Sequence, residues 1–171
     1  MYHNALWVTL ATGSAMTPFW WAHSGKLNDN VLTSQITNVR KFTDQIPFNR
    51  LTGIKPASIK STKGDSYGIQ SNEVIFGWVV NPETDVAGDN ITVSALDNGK
   101  YKLRIFHTWR GEFIDEKEIT CTNESLTFSV PYMRITGSHA NYIGQDVSFI
   151  LERIPDPAPL PPKPKGRILA K

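Results

Sequence analysis

The chain has 171 residues, of which 40% are hydrophobic and 20% charged, and its formal net charge at pH 7 is +2. This composition is typical of a folded globular protein and excludes a disordered or fibrous chain. A charge so near neutrality gives no reason to expect nucleic acid or an anionic membrane as partner. A lone cysteine, Cys121, excludes an intramolecular disulfide and is interpreted as a small strand residue.

A first helix is predicted over residues 3–12. Apolar side chains recur there at helical spacing, and Gly13 stands where such a helix would end. Because the segment is apolar on most sides, the helix needs cover from more than one direction. The recurring apolar positions are Leu6, Trp7 and Leu10.

Residues 17–21 are predicted to form a short buried strand. The run Phe19-Trp20-Trp21 has too few apolar residues for a helix and about the right number for a strand. Polar residues follow at once, so two adjacent tryptophans stand at the end of the strand. Side chains alternate along a strand, and only one of the two rings therefore points to a given face.

A second helix is predicted over residues 31–46. Asp29 or Asn30 suits its N-cap, and Pro47 closes it. Its apolar side chains recur on one face, as in an amphipathic helix packed on a core. These positions are Leu32, Ile36, Val39, Phe42 and Ile46.

From residue 49 onward the hydrophobic period changes from that of a helix to that of a strand. Apolar–polar alternation in several segments is typical of strands with one wet face. Within residues 71–80, the stretch 73–80 is apolar on both faces and suits the centre of a sheet. Turn signals at residues 97–99 and 110–111 suit hairpins. The predicted strands are residues 71–80, 90–96, 100–108, 112–120, 125–130 and 146–154.

The predicted fold class is therefore mainly β, an antiparallel β-sandwich preceded by a helix–strand–helix segment. Residues 64–68 are interpreted as a loop, and residues 131–145 as a long surface excursion before the last strand. The proline-rich, basic stretch 155–171 is predicted to be an extended tail.

This order of elements resembles the C-terminal region of bacterial (β/α)8-barrel glycoside hydrolases of the cellulase–mannanase type. In many of them a small β-sandwich, of a kind labelled collagen-binding, is fused directly after the barrel. The stretch "HNALWVTLATGSAMTPFWWAHSG" is similar to the family's helix 7, strand 8 and following loop, and "GKYKLRIFHTWRGEFIDEKEITCTNESLTFSVP" is similar to the sandwich. The resemblance implies three parts: residues 1–48 as the end of the barrel, 49–154 as the accessory sandwich and 155–171 as the tail.

The resemblance implies a saccharide site at the end of strand 8, because functional residues of such barrels lie at the C-terminal ends of the strands. Trp20 or Trp21 would present its ring to the apolar C–H face of a sugar, and Trp21, closer to the loop, is favoured. His23 would lie at the rim. Trp109 is a possible secondary binding residue, although a hairpin tryptophan packed on the sheet edge is the simpler interpretation.

The same resemblance implies that this chain lacks the catalytic carboxylate pair. The family's two catalytic glutamates end strands 4 and 7, and both strands precede the segment matched here. Glycoside hydrolysis needs two carboxyl groups flanking the scissile bond, whereas the first acidic residue of this sequence is Asp29. We therefore expect the non-catalytic C-terminal portion of a polysaccharide-degrading enzyme, so whether the chain itself is an enzyme stays open.

The expected partners are a polysaccharide or oligosaccharide, and either the rest of the barrel or a second copy bound through the N-terminal segment. No cofactor is expected, and the four scattered histidines do not have the spacing of a zinc site. An extracellular or periplasmic location is implied by the resemblance alone, because the first residues do not read as a signal peptide.

Without barrel neighbours, the N-terminal part should fold back on the sandwich, pair with another copy or be poorly ordered. In that state an apolar surface of Leu6, Trp7, Leu10, Phe19 and Trp20 is expected to promote association.

An alternative is a free-standing module in which the sandwich binds carbohydrate or a matrix protein. A row of exposed aromatic side chains on one sheet face would favour it, and the candidates are Trp109, Tyr132 and Tyr142, all near loops. A further alternative, an assembly subunit that uses its tail as an arm, rests on residues 155–171 alone.

Overall fold

The computed structural model describes residues 2–14, 30–133 and 144–155. Within these ranges the protein is mainly β, with two antiparallel sheets and two α-helices, which confirms the predicted fold class. The predicted strand at 17–21 and the tail from residue 156 lie outside the described residues.

The two helices lie close to the predicted ranges. α1 is Tyr2–Ala11 and α2 is Asn30–Thr43. Gly13 has φ +71° just beyond α1, as expected of a residue that ends a helix. A 3₁₀ turn, Phe48–Arg50, carries the chain from α2 to the first strand.

The strands form a six-stranded and a three-stranded sheet. The order in the larger sheet is β1-β3-β4-β9-β6-β7, and in the smaller one it is β2-β5-β8. β4 lies between β3 and β9, so the prediction of a central strand at residues 71–80 is confirmed. The bounds are β1 Lys55–Pro56, β2 Ser58–Ser61, β3 Asp65–Gln70, β4 Val74–Val80, β5 Asn90–Ser94, β6 Gly99–His107, β7 Glu112–Cys121, β8 Ser125–Ser129 and β9 Asp146–Arg153.

The interpretation of residues 64–68 as a loop is wrong, because β3 begins at Asp65. β3 has only two apolar side chains, Tyr67 and Ile69, and the strand is defined by its ladder with β4, from Asp65 opposite Val80 to Gln70 opposite Ile75. Pairing with a strongly apolar neighbour therefore decides its conformation, and local propensity does not.

One predicted hairpin is confirmed and the other is wrong. β6 and β7 pair antiparallel across the turn at Arg110 and Gly111, where the Gly111 N–H donates to the His107 carbonyl oxygen at 2.9 Å. Residues 97–99 instead carry the chain from β5 in the smaller sheet to β6 in the larger one. A turn signal marks a reversal of direction but not the sheet that receives the next strand.

Two apolar cores lie on opposite faces of the larger sheet. The sandwich core fills the space between the two sheets, and the helix core fills the space between the larger sheet and the helices. The sandwich core includes Ile75, Val79, Ile91, Val93, Leu103, Ile105, Phe128, Phe149 and Leu151. The helix core includes Trp7, Ala11, Phe42, Ile46, Phe76, Trp78, Phe106 and Ile150.

This arrangement corrects the expectation of a wet outer face for the last strand. On β9 the polar alternates Asp146 and Ser148 are buried beneath the helices, together with Ile150. The edge strand β8 does keep its exposed polar face, with Thr127 and Ser129.

The helices also bury different side chains from those expected. Trp7 of α1 is buried in the helix core on the sheet and Leu6 is also buried, so they are not an exposed apolar surface, and the helix folds back on the sandwich. In α2, Phe42 is buried as predicted, but Ile36 is 50% exposed.

Two polar residues of α2 lie on its buried face, where the sequence pattern predicted Ile36. Gln35 and Asn38 are buried, and both find hydrogen-bond partners there. A buried polar group needs such partners, so the amides are directed toward α1 and the β6–β7 turn and determine the rotation of α2 about its axis.

Candidate functional site

A buried polar cluster joins both helices to the larger sheet. This Asp146 cluster consists of His3, Gln35, Trp78, Trp109 and Asp146. Asp146, the first residue of β9, is 1% exposed, and His3 of α1 is 3% exposed. The side chains come from α1, α2, β4, β9 and the β6–β7 turn, so the cluster fixes five parts of the chain relative to one another.

Asp146 accepts three hydrogen bonds on its two oxygens. Its Oδ2 accepts from Trp78 Nε1 at 2.7 Å and from His3 Nε2 at 2.8 Å, and its Oδ1 accepts from Trp109 Nε1 at 2.9 Å. An indole N–H can only donate. Both carboxyl oxygens are therefore acceptors, as in an ionised carboxylate stabilised by charge-assisted hydrogen bonds.

His3 is held on its edge and on one face. Its Nδ1 lies 2.5 Å from Gln35 Oε1 and its Nε2 lies 2.8 Å from Asp146 Oδ2, so both ring nitrogens have an oxygen partner. The ring stacks on Trp109 with centroids 3.9 Å apart and planes 13° apart.

Asn38 of α2 holds the β6–β7 turn from the other side. Its Nδ2 donates to the carbonyl oxygens of Thr108 and Trp109, at 3.0 and 2.9 Å. Gly111 closes the turn with φ +67°, and a Cβ there would collide with the Asn38 amide. Glycine is thus required at this turn both by backbone conformation and by space.

His107 is fully buried next to this turn. Burial lowers the pKa of His107, and the Arg110 charge lowers it further, while Asp146 and Glu112 act in the opposite direction. Neither ring nitrogen has a hydrogen-bond partner among the residues that the structure describes. A neutral core imidazole without access to solvent is placed to pack and not to transfer a proton to a substrate.

Several of the described carboxylates form hydrogen bonds or ion pairs within the fold. Buried Asp89 accepts hydrogen bonds from the hydroxyl groups of Ser61 and Thr62 and from the Thr62 backbone N–H. On β7, Glu116 pairs with Lys102 and Asp115 with Lys117, each at 2.7 Å. Over residues 2–14, 30–133 and 144–155 no group of three or more His, Cys, Asp or Glu side chains could hold a metal ion.

The predicted saccharide residues Trp20, Trp21 and His23 lie outside the described residues. The structure does place the chain on either side of them, with Ser14 just beyond α1 and Asn30 at the start of α2. At Ser14 the backbone N–H donates to the Thr9 carbonyl oxygen at 3.0 Å.

The possible secondary residue Trp109 lies in the β6–β7 turn and is half-buried. One face of its ring covers His3 and its N–H donates to Asp146, so part of the side chain serves the Asp146 cluster. Sequence reasoning missed His3 and Asp146. The signals in the sequence were a polar residue at the start of an otherwise apolar helix and an acidic residue at the start of the last apolar strand.

Other aromatic side chains of the described ranges are exposed. Phe48, 47% exposed, packs edge-on against Phe76 at 5.8 Å, and Tyr67, 38% exposed, stacks beside Trp78 at 6.1 Å. Both neighbours, Phe76 and Trp78, belong to the helix core, so Phe48 and Tyr67 lie on the helix side of the larger sheet. Tyr132, which follows β8, is 81% exposed.

An open depression of about 410 Å³ lies between the β2–β3 turn and the end of β4. Its lining is mainly polar and includes Lys63, Asp65, Asn81 and Glu83. No aromatic side chain lines it, so it lacks the flat apolar surface that stacks on a sugar ring.

None of the described helices is long and apolar enough to cross a bilayer. No family model matches the chain, and no curated protein matches it.

The solved structures similar to this chain include glycoside hydrolases. One, titled "Glycoside hydrolase", is 15% identical with a TM-score of 0.47 and is matched over 80% of this chain and 28% of its own. Another is a glycoside hydrolase family 5 protein from Bacteroides vulgatus ATCC 8482, 15% identical with a TM-score of 0.45, matched over 73% of this chain and 25% of its own. The chain thus spans about a quarter of the length of each of these structures.

Proposed function

We propose that this chain is the non-catalytic C-terminal portion of a polysaccharide-degrading glycoside hydrolase. In this proposal the sandwich stabilises the barrel, of which residues 1–48 are the end, and residues 15–29 bind saccharide. Trp21 is the main stacking residue, Trp20 the second candidate, and His23 lies at the rim. The proposed location is extracellular or periplasmic, where polysaccharide substrates occur.

The observation that supports this proposal is the anchoring of both helices that flank residues 15–29. α1 contributes His3 and Trp7 to the contacts with the sheet, and α2 contributes Asn38 and Phe42. A binding segment whose two ends are fixed loses less conformational entropy when a ligand orders it. Support of this kind is what a preorganised binding site requires.

The chemistry of the segment suits a neutral saccharide. An indole ring offers a large, flat, apolar face together with one N–H donor, so it can cover the C–H face of a pyranose and donate to a ring substituent. Two adjacent indoles and an imidazole stand within four consecutive positions of this segment, from Trp20 to His23.

The two fully buried carboxylates of the described residues, Asp89 and Asp146, have a structural role, since each accepts three hydrogen bonds from neighbouring groups. A general acid needs a proton that it can deliver to the glycosidic oxygen. Neither of these carboxylates reaches a surface where a glycan could lie.

Affinity electrophoresis in gels containing soluble mannan, xylan or carboxymethylcellulose tests the saccharide site. The unmodified chain should be retarded by at least one glycan, and Trp21→Ala should lose most of the retardation. Tyr132→Ala is the matched control, because it removes an aromatic ring, 81% exposed, that this proposal does not use. Absence of retardation by every glycan would overturn the proposal.

A second candidate is a free-standing binding module that uses the helix side of the sheet. It is favoured by the exposure of Phe48 and Tyr67 there. The same gels separate the two proposals, because Tyr67→Ala would then abolish retardation while Trp20→Ala and Trp21→Ala would leave it intact.

A further inference from the structure

The helical layer and the sandwich are stabilised by different sets of apolar side chains. The sandwich core and the helix core have no side chain in common, although β4 and β9 contribute to both. On β4, Ile75 and Val79 face the smaller sheet, whereas Phe76 and Trp78 face the helices. Loss of the helix contacts would therefore leave the interface between the two sheets complete.

We infer that the Asp146 carboxylate is a latch that holds the helical layer on the sandwich, and that its loss releases the helices while the two sheets stay paired. The carboxylate lies on β9, part of the sandwich, and accepts a hydrogen bond from His3 of α1. It also accepts a hydrogen bond from Trp109, whose ring stacks on the His3 ring.

The polar contacts that fix α2 also depend on the Asp146 carboxylate. Gln35 bonds to the His3 ring, and Asn38 donates to the carbonyl oxygens of the turn that carries Trp109. Asp146 positions both His3 and Trp109. Removing its charge thus disturbs the polar contacts of both helices at once, whereas no polar contact described for the smaller sheet involves it.

Asparagine cannot replace Asp146 in this position. Its side chain has one carbonyl oxygen and one NH₂ group, and the NH₂ group would face at least one N–H donor of the cluster. Breaking a buried, charge-assisted network by changing one partner is strongly destabilising. We expect the largest effect at the helices, because the donors of the cluster include His3 on α1 and Trp109 in the turn to which α2 is bonded.

Native-state hydrogen exchange on the full chain, read by mass spectrometry of peptides, tests the latch. In Asp146→Asn the amides of α1 and α2 should lose protection by about 100-fold or more. The amides of β5 and β8 should keep their protection to within about threefold. The latch does not depend on saccharide binding, and no glycan is present in the experiment.

Asp89→Asn is the matched control, because Asp89 is a second buried carboxylate with three hydrogen bonds, placed between β2 and β5. In this variant the amides of β5 should lose at least as much protection as those of the helices. Trp109→Phe removes one donor and keeps an aromatic ring over His3, so it tests the same selectivity even if Asp146→Asn does not fold. Equal loss of protection in helices and sandwich, or unchanged helices in either variant of the cluster, would overturn the inference.

Discussion

The ring of His3 lies flat on the ring of Trp109, with centroids 3.9 Å apart and planes 13° apart. Trp109 donates to one oxygen of Asp146 and His3 donates to the other, so the carboxylate holds the two stacked rings in register. The start of α1 is thereby fixed to the β6–β7 turn, two parts of the chain that are far apart in sequence.

His3→Phe should destabilise the protein although it makes the helix more apolar. The variant keeps a ring over Trp109 but leaves Asp146 Oδ2 with one donor fewer and Gln35 Oε1 without its partner. We expect a loss of about 2–4 kcal/mol in the free energy of unfolding, measured with urea. Asn4→Ala, at an exposed position of the same helix, should change it by no more than about 0.5 kcal/mol. An equal effect of the two substitutions would contradict the role given to His3.

Gly111→Ala should lower the free energy of unfolding more than Gly88→Ala does. Both glycines have a left-handed backbone, with φ +67° and +69°. A Cβ at Gly88 meets only the end of the Lys63 side chain at 4.0 Å, whereas one at Gly111 collides with the Asn38 amide. We expect about 1 kcal/mol for Gly88→Ala from the backbone alone, and about 1–3 kcal/mol more for Gly111→Ala because the Asn38 hydrogen bonds are displaced. Thermal melting of both variants gives the comparison, and similar losses would mean that Asn38 adapts freely.

The effect of a substitution in α2 on stability should depend on whether the side chain is buried in the structure, and not on whether it belongs to the apolar positions of the sequence. Ile36→Lys is expected to change stability by no more than about 0.5 kcal/mol, because Ile36 is half exposed. Asn38→Ala is expected to lower the free energy of unfolding by about 1–3 kcal/mol, since it removes the amide that donates to two turn carbonyl oxygens. Urea unfolding of the pair checks the order, and the reverse order would indicate a helix rotated toward its apolar face.

Stability should fall with decreasing pH in part because of His107. Burial lowers the pKa of His107 below its ordinary value of 6.5, so near that value the unfolded chain binds a proton that the folded chain does not. Above pH 6.5, His107 does not reduce the free energy of unfolding. As the pH falls below 6.5, protonation of His107 in the unfolded chain lowers that free energy. The slope from this one group is at most about 1.4 kcal/mol per pH unit.

His107→Leu is the variant that isolates this contribution, because it fills the site with an apolar side chain that has no proton to bind. Between pH 7.5 and 5.5 the unmodified chain should lose stability relative to His107→Leu, as measured by urea unfolding at each pH. Parallel pH profiles for the two proteins would show that His107 is not the group responsible.

The sequence predicts the sandwich well because most of its strands bury one face, and burial of one face produces alternation. It predicts β3 poorly because that strand depends on the ladder with β4, and the ladder involves backbone atoms of any residue type. The rotation of α2 was missed for a related reason. Gln35 and Asn38 are polar and look solvent-facing, yet their partners come from α1 and from a turn about 70 residues further along the chain.

The Asp146 cluster could not be predicted, because each of its members has an ordinary local context. His3 is one polar residue in a short helix, and Asp146 begins a strand whose alternate positions appear wet. Only the cover of the larger sheet by two helices turns those positions inward. The site residues proposed from the resemblance, Trp20, Trp21 and His23, remain predictions for the binding experiments.

The placement of Asp146 at the start of the last strand has a consequence for synthesis. α1 is synthesised before the other described elements, but its acceptor and the β9 surface beneath it belong to the last of them. Until residue 153 has emerged, Trp7 and Phe42 have no complete surface to pack on, and closing so long a loop is slow. The two nascent helices must therefore wait until β9 has been made, and we expect chaperones that bind aromatic segments to occupy them during that interval.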